Sequence, residues 1–556
     1  LSLRVKSGSA SKSIVSADEL EFKKVIRVDV SKTAKNNWDI ELKTKIANSA
    51  KKGDVLLFRF NVRGERLQDA VYMVTGNAGV QIASPPYEKL VLTPFMTNDK
   101  WMRYDFPFRL QKDFEANSMS IFFHLGQAQQ AVDFGGIQLW NFGPDINPDD
   151  LPKTVFSYEG REPDAPWRKE ALERIEKIRK GNMDITVIDK DGNPIADTDV
   201  KVRMKKHDYG FGCVVGGWWM NSKNQNNAKR YKEEFAKLFN ETVLEGAMKW
   251  PAWEDPKRVA EADAVLADMD KLGIPMRGHC MVWPREKWLP KRIVALYKEP
   301  EKLRAEVLKH IEKIGTYYKG RLNDWDVVNE PYKNHELMDI LGKEAMTDWF
   351  EAAHKADPSA KLYLNEAAIP DWRPDIEQQI QDMESWLDML VEKKAPLHGI
   401  GLQGHMFYPF NPPEGLLRVY DRFAKYNLPI KITEFDINDK DEELQGDYMR
   451  DFLIATFSHP ATHSIIMWGF WDGSHWLGNA PLFRKDWTLK PSGEQWMKLV
   501  RKEWWTETDG KTDSEGKFGT RAFYGDYEIT ISKEGKSKTE KIKFGKNSLA
   551  IALKMD

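Results

Sequence analysis

Cysteine is nearly absent: Cys213 and Cys280 are the two thiols in 556 residues. That excludes a small fold framed by disulfides and a CxxC metal site, and the pair reads as two small buried hydrophobes. Charge of one sign is missing too. Lys plus Arg number 83 and Asp plus Glu 85, a formal net charge of -2 with no long run of either sign. Neither nucleic acid nor a membrane surface is indicated as a partner. Mean hydropathy is -0.59, and no apolar stretch nears the ~18 residues a membrane span needs. No Gly-rich phosphate loop follows any predicted strand, which argues against a nucleotide site. What is plentiful is aromatic: 21 Trp, 27 Phe and 17 Tyr. Such a stock fills a large core or supplies stacking platforms for ligands with flat apolar faces.

The length predicts two to four domains. Residues 1–155 read as an all-β sandwich: "GDVLLFRFNVRG" and "NSMSIFFHLG" run or alternate apolar between Gly, Asn and Asp punctuation. Residues 156–181 form a linker with a helix over Pro166–Gly181, Ala171, Ile175 and Ile178 sharing a face and Gly181 as its stop. Residues 182–207 read as a hairpin turning at Asp191–Gly192–Asn193–Pro194. The 505–556 tail has the same character, and an isolated hairpin is marginal. The two segments are therefore expected to join into one small accessory sheet, an accessory β domain.

Between them, residues 208–504 alternate short apolar runs with helical stretches. Strands are predicted to begin near Phe211, Thr242, Pro275, Asn323, Lys361, His398, Pro429 and Ser464. In the helix after the second, Val259, Ala262, Val265, Leu266, Met269 and Leu272 share a face and Gly273 ends it. This is the period of an α/β (β/α)8 TIM barrel, with a doubly wound open sheet as the alternative.

A barrel of this kind carries its site at the C-terminal strand ends. Those ends hold Trp218 and Trp219; Glu245, Lys249 and Trp250; His279 and Trp283; Asn329 and Glu330; Asn365 and Glu366; Gln403 and His405; Glu434 and Asp436; and Trp468, with Trp471 and Trp476 beyond. Glu330 and Glu434 close different strands, the arrangement two carboxylates need to cleave a glycosidic bond between them. Asp326 supports the site from within the fourth strand. Amides and imidazoles suit sugar hydroxyls, and indoles suit ring faces. Glu245, His279, Glu330, His405 and Glu434 also make a conceivable metal set. The indole-lined mouth favours a sugar instead, with no metal and no cofactor.

"WDVVNEP" and "ITEFDIN" resemble the acid/base and nucleophile motifs of glycoside hydrolase family 10, the endo-β-1,4-xylanases, and "MKW", "GHCMVW" and "GIGLQGH" match it as well. The resemblance covers the whole barrel. It implies a retaining double displacement, with Glu330 as general acid/base and Glu434 as nucleophile. It implies Lys249, His279, Trp283, Asn329, Gln403, His405 and Trp476 around the attacked sugar, with Trp468 in the same platform. His405, steadied by Asp436, would hold the nucleophile, with Glu245 among the substrate-binding residues and Asn365 in support. Three departures stand out: Gly246 where the family has Asn, Pro284 and Glu286 where it has His and Gln, and Ala367 in place of an aromatic. A xylan or xylan-like polysaccharide is the implied partner of a monomeric, secreted enzyme, although the chain opening at "LSLRVKSGSA" shows no signal peptide. The alternatives are a non-catalytic glycan-binding protein, or a glycosidase or transglycosylase on another β-linked glycan. By pattern and position, the N-terminal sandwich resembles a carbohydrate-binding module.

Overall fold

The computed structural model describes residues 1–17, 21–65, 73–216, 219, 224–373, 375–546 and 550–555. The chain divides into two compact units. One is Leu1–Tyr158 with Trp372–Ile380 and Pro409–Asn411, and the other is Glu159–Asp371, Gln381–Tyr408 and Pro412–Asp556. None of the described helices is long and apolar enough to cross a membrane.

The first unit contains two five-stranded antiparallel sheets. One orders Ser2–Val5, Ile40–Lys45, Met119–His124, Val74–Ile82 and Lys89–Thr97; the other orders Ser9–Ser16, Lys24–Lys32, Gln130–Asn141, Val55–Glu65 and Met102–Arg109. Alternation along the strands sends Leu42, Phe58, Phe60, Ala78, Phe123 and Phe134 into the shared core. Phe60 stacks on Tyr104 at 5.2 Å and meets Phe123 edge-on at 5.2 Å.

The second unit is built on a closed parallel barrel. Its strands are Gly210–Val215, Glu241–Leu244, Met276–Gly278, Asp324–Asn329, Lys361–Glu366, Gly399–Leu402, Ile430–Asn438 and Thr462–Met467, paired in sequence order, with the eighth returning to the first. The eight predicted starts fall within two residues of these. Helices separate them. In Pro256–Leu272, Asp255 caps the start by accepting from Lys257 N at 2.9 Å, and Gly273 ends it at φ 65°. Ala262, Val265, Leu266 and Met269 are buried there, whereas Leu272, expected on the same face, is turned out to solvent. The barrel interior is partly ionic. Arg277 bonds Asp324 at 2.6 Å and Asp326 more closely still, and Lys431 pairs with Glu241 and, at 2.6 Å, with Asp324.

The helix Pro166–Ile178 is shorter than expected. The chain enters a strand, Lys180–Ile188, directly after it, so Gly181 is a strand residue and not a stop. Buried Arg168 joins this helix to Glu442–Ser458 through two bonds to Asp451, at 2.9 and 3.0 Å. The expected 182–207 hairpin is a second difference. The turn forms, with Asp189 Oδ1 accepting from Asp191 N and Asn193 N at 2.9 and 2.8 Å. The strands on either side do not pair with each other. Lys180–Ile188 lies between Lys517–Phe523 and Ile551–Lys554, while Asp199–His207 lies between Glu507–Lys511 and Gly525–Lys533, with Lys536–Phe544 beyond. Two small sheets result where one was expected. The crossing between them is pinned by Thr198 N to Thr512 Oγ1 at 2.9 Å and Thr512 N to Thr198 O at 3.0 Å.

Candidate active site

Both strands that carry the predicted carboxylates lose register just before their ends. The fourth strand slips against the fifth between Asp326 and Val328, and the seventh against the eighth between Ile432 and Phe435. Such bulges re-aim side chains. Glu330 then sits at φ 53°, a left-handed conformation for a residue with a β-carbon, and its N–H donates to Asn365 O at 2.8 Å. That geometry costs about 1–3 kcal/mol, and surrounding structure must hold it.

Each carboxylate has its own partners. Glu330 Oε1 accepts from Gln403 Nε2 at 2.7 Å, and Oε2 accepts from Asn334 Nδ2 at 3.0 Å. Burial, and then the nearby Glu434, push the Glu330 carboxyl up from the ordinary range, with the Gln403 bond opposing them. Glu434 Oε1 accepts from Asn365 Nδ2 at 3.1 Å, and His405 Nε2 lies 3.3 Å from its Oε2. His405 Nδ1 stands 3.1 Å from Asp436 Oδ1. Burial opposes a charge on His405, but Asp436 and Glu434 on its two sides outweigh it, and its pKa is raised to about 10. Trp476 Nε1 donates to Asp436 Oδ2 at 2.8 Å.

Asn329 is fully buried. Its Oδ1 accepts from Asn365 Nδ2 at 2.8 Å, while its Nδ2 has no hydrogen-bond partner among the described residues. Asn365 is fixed in turn by Thr433 Oγ1 donating to its Oδ1 at 2.6 Å. On the facing side His279 Nδ1 lies 2.9 Å from Asp326 Oδ2. Burial would raise the Asp326 carboxyl, but Arg277 and His279 hold it below the ordinary range. The Trp468 ring stands edge-on to both His279 and His405, at 5.4 and 6.3 Å. Trp283 stacks on Trp288 at 4.1 Å, and Lys249 Nζ lies over the Trp283 ring at 4.8 Å. Glu245 is exposed at the end of the second strand.

Other strand-end residues go elsewhere. Trp250 is buried face to face with His310 at 4.0 Å, Trp471 stacks on Trp487 at 4.5 Å, and Trp219 packs against Phe235. Buried Glu366 accepts from the N–H groups of Tyr332 and Ala367. Trp218 lies outside the described residues. Cys213 and Cys280 are free thiols that burial pushes up. Among the described residues no three His, Cys, Asp or Glu side chains converge as a metal cluster. Asn334, Thr433 and Trp288 were not singled out in the sequence. Thr433 adjoins Glu434, and Asn334 follows Glu330 by one helical turn's spacing, so proximity along the chain was their one signal.

A barrel whose C-terminal strand ends bring together two glutamates, amides, imidazoles and indoles is the scaffold of a glycoside hydrolase. The sequence model of glycosyl hydrolase family 10 matches residues 203–498, and the chain belongs to that family. Among curated relatives, Anti-sigma-I factor RsgI6 of Acetivibrio thermocellus is 32% identical over 377 residues, 67% of this chain and 47% of that protein. Endo-1,4-beta-xylanase 1 of Arabidopsis thaliana is 28% identical over 377 residues, covering 67% and 38%. The chain thus spans less than half the length of either. Among solved structures, xylanase 10B from Thermotoga petrophila RKU-1, in complex with xylobiose, is 25% identical with a TM-score of 0.48, over 53% of this chain and 95% of that one.

Proposed function

We propose that the chain is a retaining endo-β-1,4-glycanase that hydrolyses xylan or a xylan-like polysaccharide, with Glu330 as general acid/base and Glu434 as nucleophile. The observation that carries this reading is the contrast between the two carboxylates. One is pushed toward its protonated form by burial and its neighbour, and the other faces a cationic imidazole. Glu434 attacks the anomeric carbon while the glycosidic C–O bond breaks, and the Glu330 proton passes to the departing oxygen. A glycosyl ester on Glu434 results. Water then bonds to the same carbon, Glu330 takes its proton, and the ester bond breaks to restore Glu434. Asn329 Nδ2, buried and unpartnered, is a donor suited to the sugar's 2-hydroxyl, a bond that strengthens in the transition state. The same reading makes the N-terminal sandwich a glycan-binding module and the protein a secreted monomer.

The test is hydrolysis of β-1,4-xylan and aryl β-xyloside followed by proton NMR of the first-formed product. Retention of the β-anomer supports the mechanism. Initial α-anomer overturns the double displacement, and no cleavage of either substrate overturns the xylan assignment.

A further inference from the structure

The outward face of the sandwich sheet that begins at Ser2–Val5 is not an ordinary solvated surface. Pairing sets Arg4 beside Glu41, Glu41 beside His124, and His124 beside Asn77. One step along the strands, Lys43 pairs with Phe122, and Phe122 with Gly79. All of these alternate with core residues and so point away from the sandwich interior. Yet Glu41, Gln81 and His124 are almost completely buried, because they form the floor of a cleft of about 610 Å³. That volume is typical of a ligand site.

The floor is an ordered polar array. Glu41 Oε2 accepts from Arg4 Nε at 2.9 Å and lies 2.9 Å from Lys43 Nζ, while its Oε1 lies 3.6 Å from His124 Nε2 and accepts from Gln81 Nε2 at 3.4 Å. Burial opposes the Glu41 charge, but these donors hold its pKa down at about 2. The same burial lowers the His124 pKa from its ordinary value, with the Glu41 contact opposing it. A Cβ at Gly79 would meet Val91 O at 2.1 Å and the Phe122 ring at 2.9 Å, so glycine leaves room for that ring, and Lys89 Nζ sits 4.2 Å from the ring centroid.

The rim is aromatic. Trp38 and Tyr87 line the cleft with 53% and 44% of their surface exposed. Tyr87 is held at φ 58°, a strained conformation for a residue with a side chain. Four cations line the cleft, Arg4, Lys6, Lys43 and Lys89, against the single carboxylate of Glu41. Lys6 and Lys89 have no carboxylate oxygen within ion-pair distance among the described residues, although Lys89 Nζ donates to Gln81 Oε1 and feels the Glu41 charge, as Lys6 feels that of Asp39. Two exposed rings beside a fixed polar floor fit sugar rings, whose faces stack while their edges hydrogen-bond. The surplus of cations fits a ligand that carries carboxylates.

We propose that this face is a second carbohydrate site, separate in function from the barrel mouth, and that it takes a β-linked xylan chain bearing uronate side groups. Trp38 and Tyr87 stack on backbone sugars, Asn77, Gln81 and His124 meet hydroxyls, and Lys89 with Lys6 pairs with the uronate carboxylates. The choice of a xylan backbone rests on the glycanase reading given above.

The test uses the full chain carrying Glu434→Ala, so that polymer survives, in affinity electrophoresis. The gels contain glucuronoxylan, the same polymer after carboxyl reduction, or polygalacturonate. Adding Trp38→Ala with Tyr87→Ala is expected to weaken glucuronoxylan retention at least tenfold. Carboxyl reduction should weaken retention of the parent several-fold, and Lys89→Ala should abolish that difference. Both surface variants should keep the parent's melting temperature. Unchanged retention in the Trp38/Tyr87 variant overturns the site while leaving a glycan-binding chain. Equal retention on reduced polymer overturns the uronate preference, and stronger retention on polygalacturonate overturns the xylan backbone. No retention on any polymer overturns the glycan-binding reading as well, whereas xylan hydrolysis by the unaltered chain scores the glycanase reading independently.

Discussion

Asn334 reaches back four residues to Glu330, and its Nδ2 donates to both the main-chain carbonyl and Oε2 of that residue, each at 3.0 Å. A donor to a carboxylate favours the charged form, so this bond works against the burial that raises the Glu330 pKa. Removing it in Asn334→Ala should move the basic limb of the kcat/KM pH profile upward and lower kcat by about tenfold, one lost hydrogen bond to a charged group. The same bond steadies the left-handed backbone at Glu330. A pH–rate profile on xylan checks it; an unmoved basic limb would show that Asn334 does not bear on the proton donor.

The two glutamates should fail differently. Glu330→Ala should lower xylan hydrolysis by about 10²–10⁴-fold. It should spare the first step with an aryl glycoside whose leaving group needs no proton, and added azide should restore turnover of that substrate. Glu434→Ala should lose both activities by at least about 10⁴-fold. Burst kinetics with aryl xylosides separate the two.

His405 predicts a pH dependence of stability. Its folded pKa, about 10, lies above its ordinary value, so the group contributes stability that is fully present below about 6.5 and is lost as pH rises through about 10. Melting temperature should therefore fall between pH 7 and 10 by more in the unaltered chain than in His405→Gln. Asp436→Asn should cost about 3 kcal/mol, because it leaves a buried cation short of its counter-charge. Urea unfolding at pH 7 measures this.

Arg277 is enclosed within the barrel and pairs with both Asp324 and Asp326. Arg277→Met keeps the bulk but removes the cation shared by two buried carboxylates, leaving Asp324 with Lys431 alone and Asp326 with His279 alone, and should destabilise the chain by about 3 kcal/mol. Asp326 also orients His279, so the variant should raise KM at temperatures where it remains folded. Stability lost with KM unchanged would separate the ionic cluster from the site.

Gly246 offers a gain of function. A Cβ there would meet Arg258 Nη2 at 3.5 Å as its nearest atom, an ordinary contact, so a side chain fits. Gly246→Asn places the family's Asn at the end of the second strand and should add one hydrogen bond to a bound xylan chain. It should lower KM for unsubstituted xylo-oligosaccharides by up to about tenfold. Initial rates on xylotetraose test this.

The barrel was legible because its strands are buried on both faces, so runs such as Val327–Val328 and Ile465–Ile466 stand out against polar linkers. The carboxylates were legible because they end such runs. Trp219, Trp250 and Trp471 misled because an indole near a strand end can point into the mouth or into the outer packing, and helices distant in sequence decide which. Asn334 was invisible for a related reason: its role depends on the turn at Glu330, set by the pairing of Glu330 N with Asn365 O. The false hairpin at 182–207 had a true turn signal. Its strands chose partners more than three hundred residues away, and local pattern carries no information about that choice.

Those distant partners mean that the segment matched by the family model is not the segment that can stand alone. A cut at residue 203 would sever Asp199–His207 in mid-strand, and one at 498 would strip both small sheets of every strand that follows the barrel. The matched segment and the chain's unit of folding differ here by a clasp, which is complete only once Ile551–Lys554 is in place.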